Sequence, residues 1–238
     1  MDGKEKRDNV LGVWIDLIDT KDKMEKLSEE EFRKYLHGFN GAVIDSIYES
    51  YYETKPGHLI TYYNLPEDLR ILIFADTVYL EILGYDYISG IIFNWLTNLY
   101  KKSKNTYALS IYISTGEAVP YSEEMQKLPE KLKKRANELH RSYNLPPTPT
   151  SYFPTYKFNE PKVFTMFGLS ESLEKIWGAE SFGKKYNLGE GLFIEKEVWD
   201  IFVKRVEELQ NKPVAILFYH NGKRVEFVKT NFSEIQDI

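Results

Sequence analysis

Along this chain, runs of apolar residues alternate between two periods. Residues 10–18 (Val-Leu-Gly-Val-Trp-Ile-Asp-Leu-Ile) are largely apolar and rich in branched side chains, as a strand is. Ser28-Glu-Glu-Glu31 has the spacing of a capping box and opens a helix, in which Phe32, Leu36, Phe39, Val43 and Ile47 recur at helical spacing to about residue 52. Residues 54–68 hold Pro56-Gly57 and Pro66 and read as loop, with room for a short strand at Leu59–Tyr63. Two β-type runs within residues 69–83 meet at Asp76-Thr77, which predicts a hairpin. Residues 86–103 predict a mostly apolar helix, and Tyr107–Ser114 a strand running into Thr115-Gly116-Glu117.

Residues 120–162 break this pattern. Ser122–Tyr143 is charged and helical in spacing, with Leu128, Leu132, Leu139 and Tyr143 roughly on one face and Pro129 interrupting it. Leu145–Tyr156 is rich in Pro and aromatic residues, the composition of an extended arm. The regular pattern then resumes: strand Val163–Phe167, Gly168, helix Ser170–Lys185, short strand Leu192–Ile194 and helix Glu195–Leu209. A final hairpin joins Val214–Tyr219 to Val225–Val228 through Asn221-Gly222, the strongest short hairpin signal. The order β-α-ββ-α-β-(insertion)-β-α-β-α-ββ predicts an α/β (α+β) fold of ferredoxin-like type. Its sheet is mixed and mostly antiparallel, with helices mainly on one face. We read residues 1–238 as a single domain with an insertion or arm at about 120–162.

Composition narrows the class. A 42% hydrophobic and 28% charged chain has the balance of a globular protein, and no apolar run reaches bilayer-spanning length, so no membrane partner is expected. The N-terminus is charged and without an apolar stretch, so no secretory signal is read there; with no Cys, thiolate metal sites and disulfides are impossible. A cytoplasmic location is expected. The net charge of −5 argues against an extended nucleic-acid partner while leaving room for a small basic patch that meets one triphosphate.

The candidate chemistry lies in two aspartates, Asp16 and Asp76, each placed where a β-type run ends. Carboxylates on neighbouring strands form a hard, all-oxygen site suited to Mg²⁺ or Mn²⁺ with a nucleoside triphosphate. For one such Asp alone, a strand end or turn is the plainer explanation. Asp19, three residues after Asp16, reads either as an acid supporting that site or as the cap of the next turn, with the cap preferred, and Glu171 and Glu174 read as residues that suit a helix N-terminus. His37, His58, His140 and His220 lack ligand spacing, and Gly116 and Gly168 read as turn formers.

Five segments in one collinear order resemble the class III nucleotide cyclase catalytic domain, and more closely the divergent cyclase-homology domains of bacterial antiphage pyrimidine cyclases. They are Asp16-Leu-Ile-Asp19 before a helix, Phe74-Ala-Asp-Thr77, Ser114-Thr-Gly-Glu117, Phe164-Thr-Met-Phe-Gly168 and Gly191-Leu-Phe-Ile-Glu-Lys-Glu-Val-Trp199. The resemblance implies a cyclase-like fold, Asp16 and Asp76 as metal ligands, and a homodimer whose sites form between two chains. It also implies Thr165 and Leu72 at base-recognition positions and Thr77 beside the second metal Asp. There are departures. The family's Asp, Asn and Arg after the Gly are Leu169, Ser172 and Ile176 here, and its base-recognition Lys is Leu72. Ser172 retains a hydrogen-bonding group, whereas Ile176 cannot stabilise an anion. A substitute cation could come from Lys175, Lys184, Lys185 or Arg224, although the ordinary fate of such residues is a solvated surface.

The expected function is conversion of a nucleoside triphosphate to a 3′,5′-cyclic monophosphate and pyrophosphate, with Asp16, Asp76 and Ser172 as the catalytic set and a role in antiviral signalling. The alternative is a cyclase-homology domain that has lost turnover and binds nucleotide or protein. A palm-type nucleotidyltransferase shares the hairpin carboxylates, but the charge balance offers no template-binding surface.

Overall fold

The computed structural model describes residues 9–54, 69–83, 88–117, 170–203 and 212–235. Seven strands, β1 (Asn9–Leu17), β2 (Leu69–Phe74), β3 (Thr77–Leu83), β4 (Leu109–Glu117), β5 (Gly191–Glu195), β6 (Val214–His220) and β7 (Lys223–Thr230), form one sheet in the order β2-β3-β1-β4-β5-β7-β6. The first four strands take the ferredoxin-like arrangement, all antiparallel. β5 pairs parallel to β4, and β7 and β6 complete the sheet antiparallel. The mixed, mostly antiparallel sheet is therefore as predicted.

Among the described residues six helices accompany it: α1 (Thr20–Lys26), α2 (Glu29–Thr54), α3 (Ile88–Ser103), α4 (Glu171–Lys185), α5 (Lys196–Phe202) and α6 (Phe232–Ile235). The capping box that opens α2 is present in full. Glu31 N–H donates to Ser28 Oγ at 3.3 Å, and Ser28 N–H donates back to the Glu31 carboxylate at 2.9 Å. The Ser28 hydroxyl also donates to that carboxylate at 2.6 Å, and this bond, with the one from Ser28 N–H, holds the exposed Glu31 carboxyl below its usual range. Asp19 corrects its sequence reading: it occupies the N-cap position of α1, but its side chain makes no cap bond. Its carboxylate instead accepts from the Tyr35 hydroxyl at 2.8 Å, which ties α1 to α2.

Strand alternation gives the sheet two unlike faces. On one, Leu11, Val13, Ile15 and Leu17 of β1 join Val78, Leu80 and Ile82 of β3 and Leu109, Ile111 and Ile113 of β4 under α2, α3 and α5. This layer is apolar. At the α2–α3 seam the indole of Trp95 donates to Ser46 Oγ at 2.8 Å, so its buried N–H is satisfied. The opposite face carries the polar members of the same strands, and α4 lies across it on β4, β1 and β6. Its apolar part joins Tyr79, Tyr112, Phe193 and Phe227 to Leu173, Ile176 and Ala179 of α4. Helices thus lie mainly on one face, with α4 alone among the described helices packed on the other face.

Two glycines let α4 sit directly on the strands. A Cβ on Gly12 would stand 2.2 Å from Ser172 Oγ, and one on Gly116 would stand 2.4 Å from the Ser172 backbone nitrogen. Gly116 therefore serves close approach within β4 rather than a turn. The predicted strand Val163–Phe167, the insertion at 120–162 with its helix Ser122–Tyr143, Gly168 and the strand at Leu59–Tyr63 fall outside the described residues.

Candidate active site

The site grows from the last residues of β1. Asp16 pairs in register with Thr77 of β3 on one side and Ser110 of β4 on the other. The next residue, Leu17, donates its backbone N–H to the carbonyl of Asp76 at 3.1 Å. That bond fastens the β2–β3 turn to the end of β1 and brings the two aspartates to one end of the sheet. The turn itself is Ala75-Asp76, one residue earlier than the sequence reading, with Thr77 opening β3. Ala75 holds φ at 47°, in the left-handed region where an L side chain is strained. From α2, Asn40 donates to the Ala75 carbonyl at 3.4 Å.

Asp16 is buried, with 7% of its surface exposed. Thr77 Oγ1 donates to Asp16 Oδ1 at 2.7 Å, and Lys184 Nζ stands 3.4 Å from Asp16 Oδ2. Lys184 also pairs with Glu180 at 2.7 Å, one turn earlier on α4. Burial pushes the Asp16 carboxyl above its ordinary value; the Thr77 bond and Lys184 oppose this, while Glu180 and Asp76 add to it. Burial works to lower the pKa of Lys184, but its bond to Glu180 and the charge of Asp16 outweigh it and hold the ammonium above its usual value.

These groups line one cavity of about 720 Å³ with Asp76, Thr77 and Ser110. Its volume lies within the range of small-molecule sites, about 300–1,000 Å³. Its lining combines the carboxylates and Lys184 with the aromatic side chains of Trp14, Tyr112 and Trp177. Trp14 meets Trp177 edge-on at 6.4 Å and Tyr79 at a tilt at 6.1 Å, between ring centroids. A cavity so lined offers charged groups together with flat apolar rings.

The donor set fits a divalent cation of the Mg²⁺ type. Among the described residues no three His, Asp or Glu side chains gather in a metal-holding group. Two carboxylates completed by substrate phosphates and water are the usual protein share of such a site. Asp16, held above its ordinary range first by burial and further by Glu180 and Asp76, is a carboxylate whose charge a bound cation would stabilise.

Of the remaining sequence candidates, those among the described residues do not line the cavity. Ser172 is fully buried near Gly12 and donates to the Ser114 carbonyl at 2.9 Å, and it does not line the cavity. Ile176 is buried in the apolar cluster under α4. Leu72 lies on β2 opposite Tyr79, and Thr165 falls outside the described residues. Lys175 corrects the expectation of a solvated cation: its ammonium is buried between the Glu195 carboxylate at 2.8 Å and the Thr115 carbonyl at 2.9 Å. Arg224 pairs with Glu226, and Lys185 lies over the Tyr186 ring. Glu180 had not been singled out in the sequence. The signal for it was its i,i+4 spacing to Lys184 beside the small residues Ala179 and Gly183, which let that end of α4 approach the sheet.

No family model matches the chain, and no curated protein matches it either. Solved structures do. The adenylyl cyclase CyaB from P. aeruginosa is 8% identical, with 94% of each chain covered and a TM-score of 0.48. The dimeric guanylyl cyclase domain of the RhoGC fusion protein from the aquatic fungus Blastocladiella emersonii is 8% identical, with 94% of this chain and 96% of that one covered and a TM-score of 0.44. At these values neither likeness bears on chemistry, and function has to be read from the residues of the site. Among the described residues no helix is long and apolar enough to cross a membrane.

Proposed function

We propose that this chain is a nucleotide cyclase-like protein that converts a nucleoside triphosphate to its 3′,5′-cyclic monophosphate and pyrophosphate, using Mg²⁺ or Mn²⁺ held by Asp16 and Asp76. The observation that carries the reading is the meeting of a buried strand-end carboxylate and a hairpin-turn carboxylate at one cavity. Bound divalent cations would polarise the attacking hydroxyl and neutralise the triphosphate. The chain's own residues would do the positioning. Thr77 fixes one oxygen of Asp16 and so aims the other into the cavity. The strained Ala75 turn presents Asp76. The aromatic side chains of the lining would offer a surface for the base.

Purified chain with Mn²⁺ should form a cyclic monophosphate slowly from at least one of ATP, GTP, CTP and UTP. The resemblance to antiphage pyrimidine cyclases makes CTP and UTP the first to try. Slowness follows from the absence of an Arg at Ile176. Asp76→Asn should abolish product while leaving the fold intact. Identical product traces from wild type and Asp76→Asn with all four triphosphates would remove the enzyme reading.

A second reading, a nucleotide- or protein-binding module without turnover, is favoured by the fates of Ser172 and Ile176, one committed to the Ser114 carbonyl and the other to the core. We further propose a homodimer, since cyclase-type sites are completed by a second chain. Light scattering showing a strict monomer at high micromolar concentration would count against it.

A further inference from the structure

We propose that Lys184 is an exchangeable counter-cation: it neutralises Asp16 while no divalent cation is bound, and passes to the phosphate oxygens of the substrate when one is. This rests on the metal-and-triphosphate reading of the cavity. Each step follows from geometry. Asp16 has two carboxylate oxygens. Thr77 donates to Oδ1 at 2.7 Å, which leaves Oδ2 the less encumbered oxygen for a cation, and there Lys184 stands at 3.4 Å. A Mg²⁺ ion needs an oxygen at about 2.0–2.1 Å, and two cations sharing one carboxylate oxygen repel each other. Metal entry at Oδ2 therefore pushes the ammonium away.

The partners differ in freedom. The Asp16 and Glu180 side chains are 10% and 13% exposed, whereas that of Lys184 is 64% exposed. The carboxylates are fixed, and the lysine reaches them on a flexible stem rooted in the last turn of α4. Once displaced, its charge remains at the cavity mouth, where the triphosphate brings negative charge. Lys175 cannot take this part because Glu195 and Thr115 hold it under α4, nor can Arg224, which is engaged by Glu226. Lys184 thus supplies a cation from the same chain as Asp16, where Ile176 supplies none.

The test is Mn²⁺ binding followed by electron paramagnetic resonance on the full chain, first without nucleotide. The variants are Lys184→Met, Lys184→Arg, Asp16→Asn and, as a distant control on α2, Lys34→Met. Lys184→Met should bind Mn²⁺ about tenfold more tightly, since the competing charge at Oδ2 is gone. At saturating Mn²⁺ the same variant should bind the 3′-deoxy forms of ATP, GTP, CTP and UTP, which lack the attacking hydroxyl, about tenfold more weakly. Lys184→Arg should follow wild type, Lys34→Met should change neither affinity, and Asp16→Asn should lose Mn²⁺. If Lys184→Met matches Lys34→Met in both affinities while Asp16→Asn still loses Mn²⁺, the exchange is refuted and the metal reading stands. If wild type and Lys184→Met both fail to bind Mn²⁺, the metal reading falls and the exchange falls with it.

Discussion

Replacing Lys175 by Met tests how α4 is held on the polar face of the sheet. Lys175 donates to Glu195 Oε1 at 2.8 Å and to the Thr115 carbonyl at 2.9 Å. The other oxygen, Glu195 Oε2, accepts from Ser114 Oγ at 2.6 Å and from the Thr115 N–H at 3.0 Å. The two side chains are only 11% and 4% exposed, so water cannot replace a lost partner. Lys175→Met leaves a buried carboxylate with two donors and no cation. Breaking a buried pair from one side costs about 3–5 kcal/mol; the two surviving hydrogen bonds place this case near the lower end, about 3 kcal/mol. In urea, with a slope of about 2–3 kcal/mol/M, the midpoint should fall by about 1–1.5 M. The double variant Lys175→Met/Glu195→Gln removes the stranded charge but keeps an acceptor for Ser114 and Thr115. It should be more stable than Lys175→Met alone by about 1–2 kcal/mol, a non-additivity that a cycle of four proteins measures. A single-variant loss under about 1 kcal/mol, or a double variant no better than the single, would refute the picture of a buried clamp.

The remaining predictions concern the cavity and the seam between α4 and the sheet. Asp16→Asn should raise the thermal midpoint of the metal-free protein by a few degrees at pH 7, because an ionised Asp16 is disfavoured by burial in the folded state. The sign follows from the raised pKa: the folded state binds the proton more tightly, so wild type loses stability as pH rises from the unfolded carboxyl value through the folded one. The advantage of Asn should therefore vanish below about pH 4, and an advantage that persists there would contradict this origin. Gly116→Ala should lower stability by about 2–3 kcal/mol, since the new Cβ meets backbone rather than a movable side chain. Gly41→Ala, in α2 with nothing within 4 Å, should instead raise it by about 0.5–1 kcal/mol; equal effects in a denaturation series would undo the close-approach argument.

Much of this architecture was legible because its signals are local. Asn221-Gly222 fixes one hairpin, and Asn221 and Gly222 both adopt the positive φ that such a turn requires. Ser28 and Glu31 announce the start of α2 and make the predicted bonds. Asp16 and Asp76 stand at the strand end and the hairpin turn, and the N–H of Leu17, next to Asp16, bonds the Asp76 carbonyl. Helix α1 was missed because its seven residues bury none of their side chains, so no apolar period marks it. The alternation Thr77-Val-Tyr-Leu-Glu-Ile82 does encode two unlike faces, with Thr77, Tyr79 and Glu81 on the α4 side. What it cannot encode is which helix covers that side. The approach of Lys184 to Asp16 and the burial of Lys175 by Glu195 join segments far apart in the chain, and they arise only when α4 crosses the sheet at Gly12 and Gly116.

The central claim is that Asp16 and Asp76 share a divalent cation when a nucleoside triphosphate is bound. Anomalous diffraction from crystals grown with Mn²⁺ and a 3′-deoxynucleoside triphosphate tests it most directly. A manganese peak within about 2.0–2.4 Å of one oxygen from each aspartate, with phosphate oxygens completing its shell, is the predicted result. Nucleotide bound in the cavity with manganese absent from both carboxylates, or manganese held elsewhere in the chain, would contradict it.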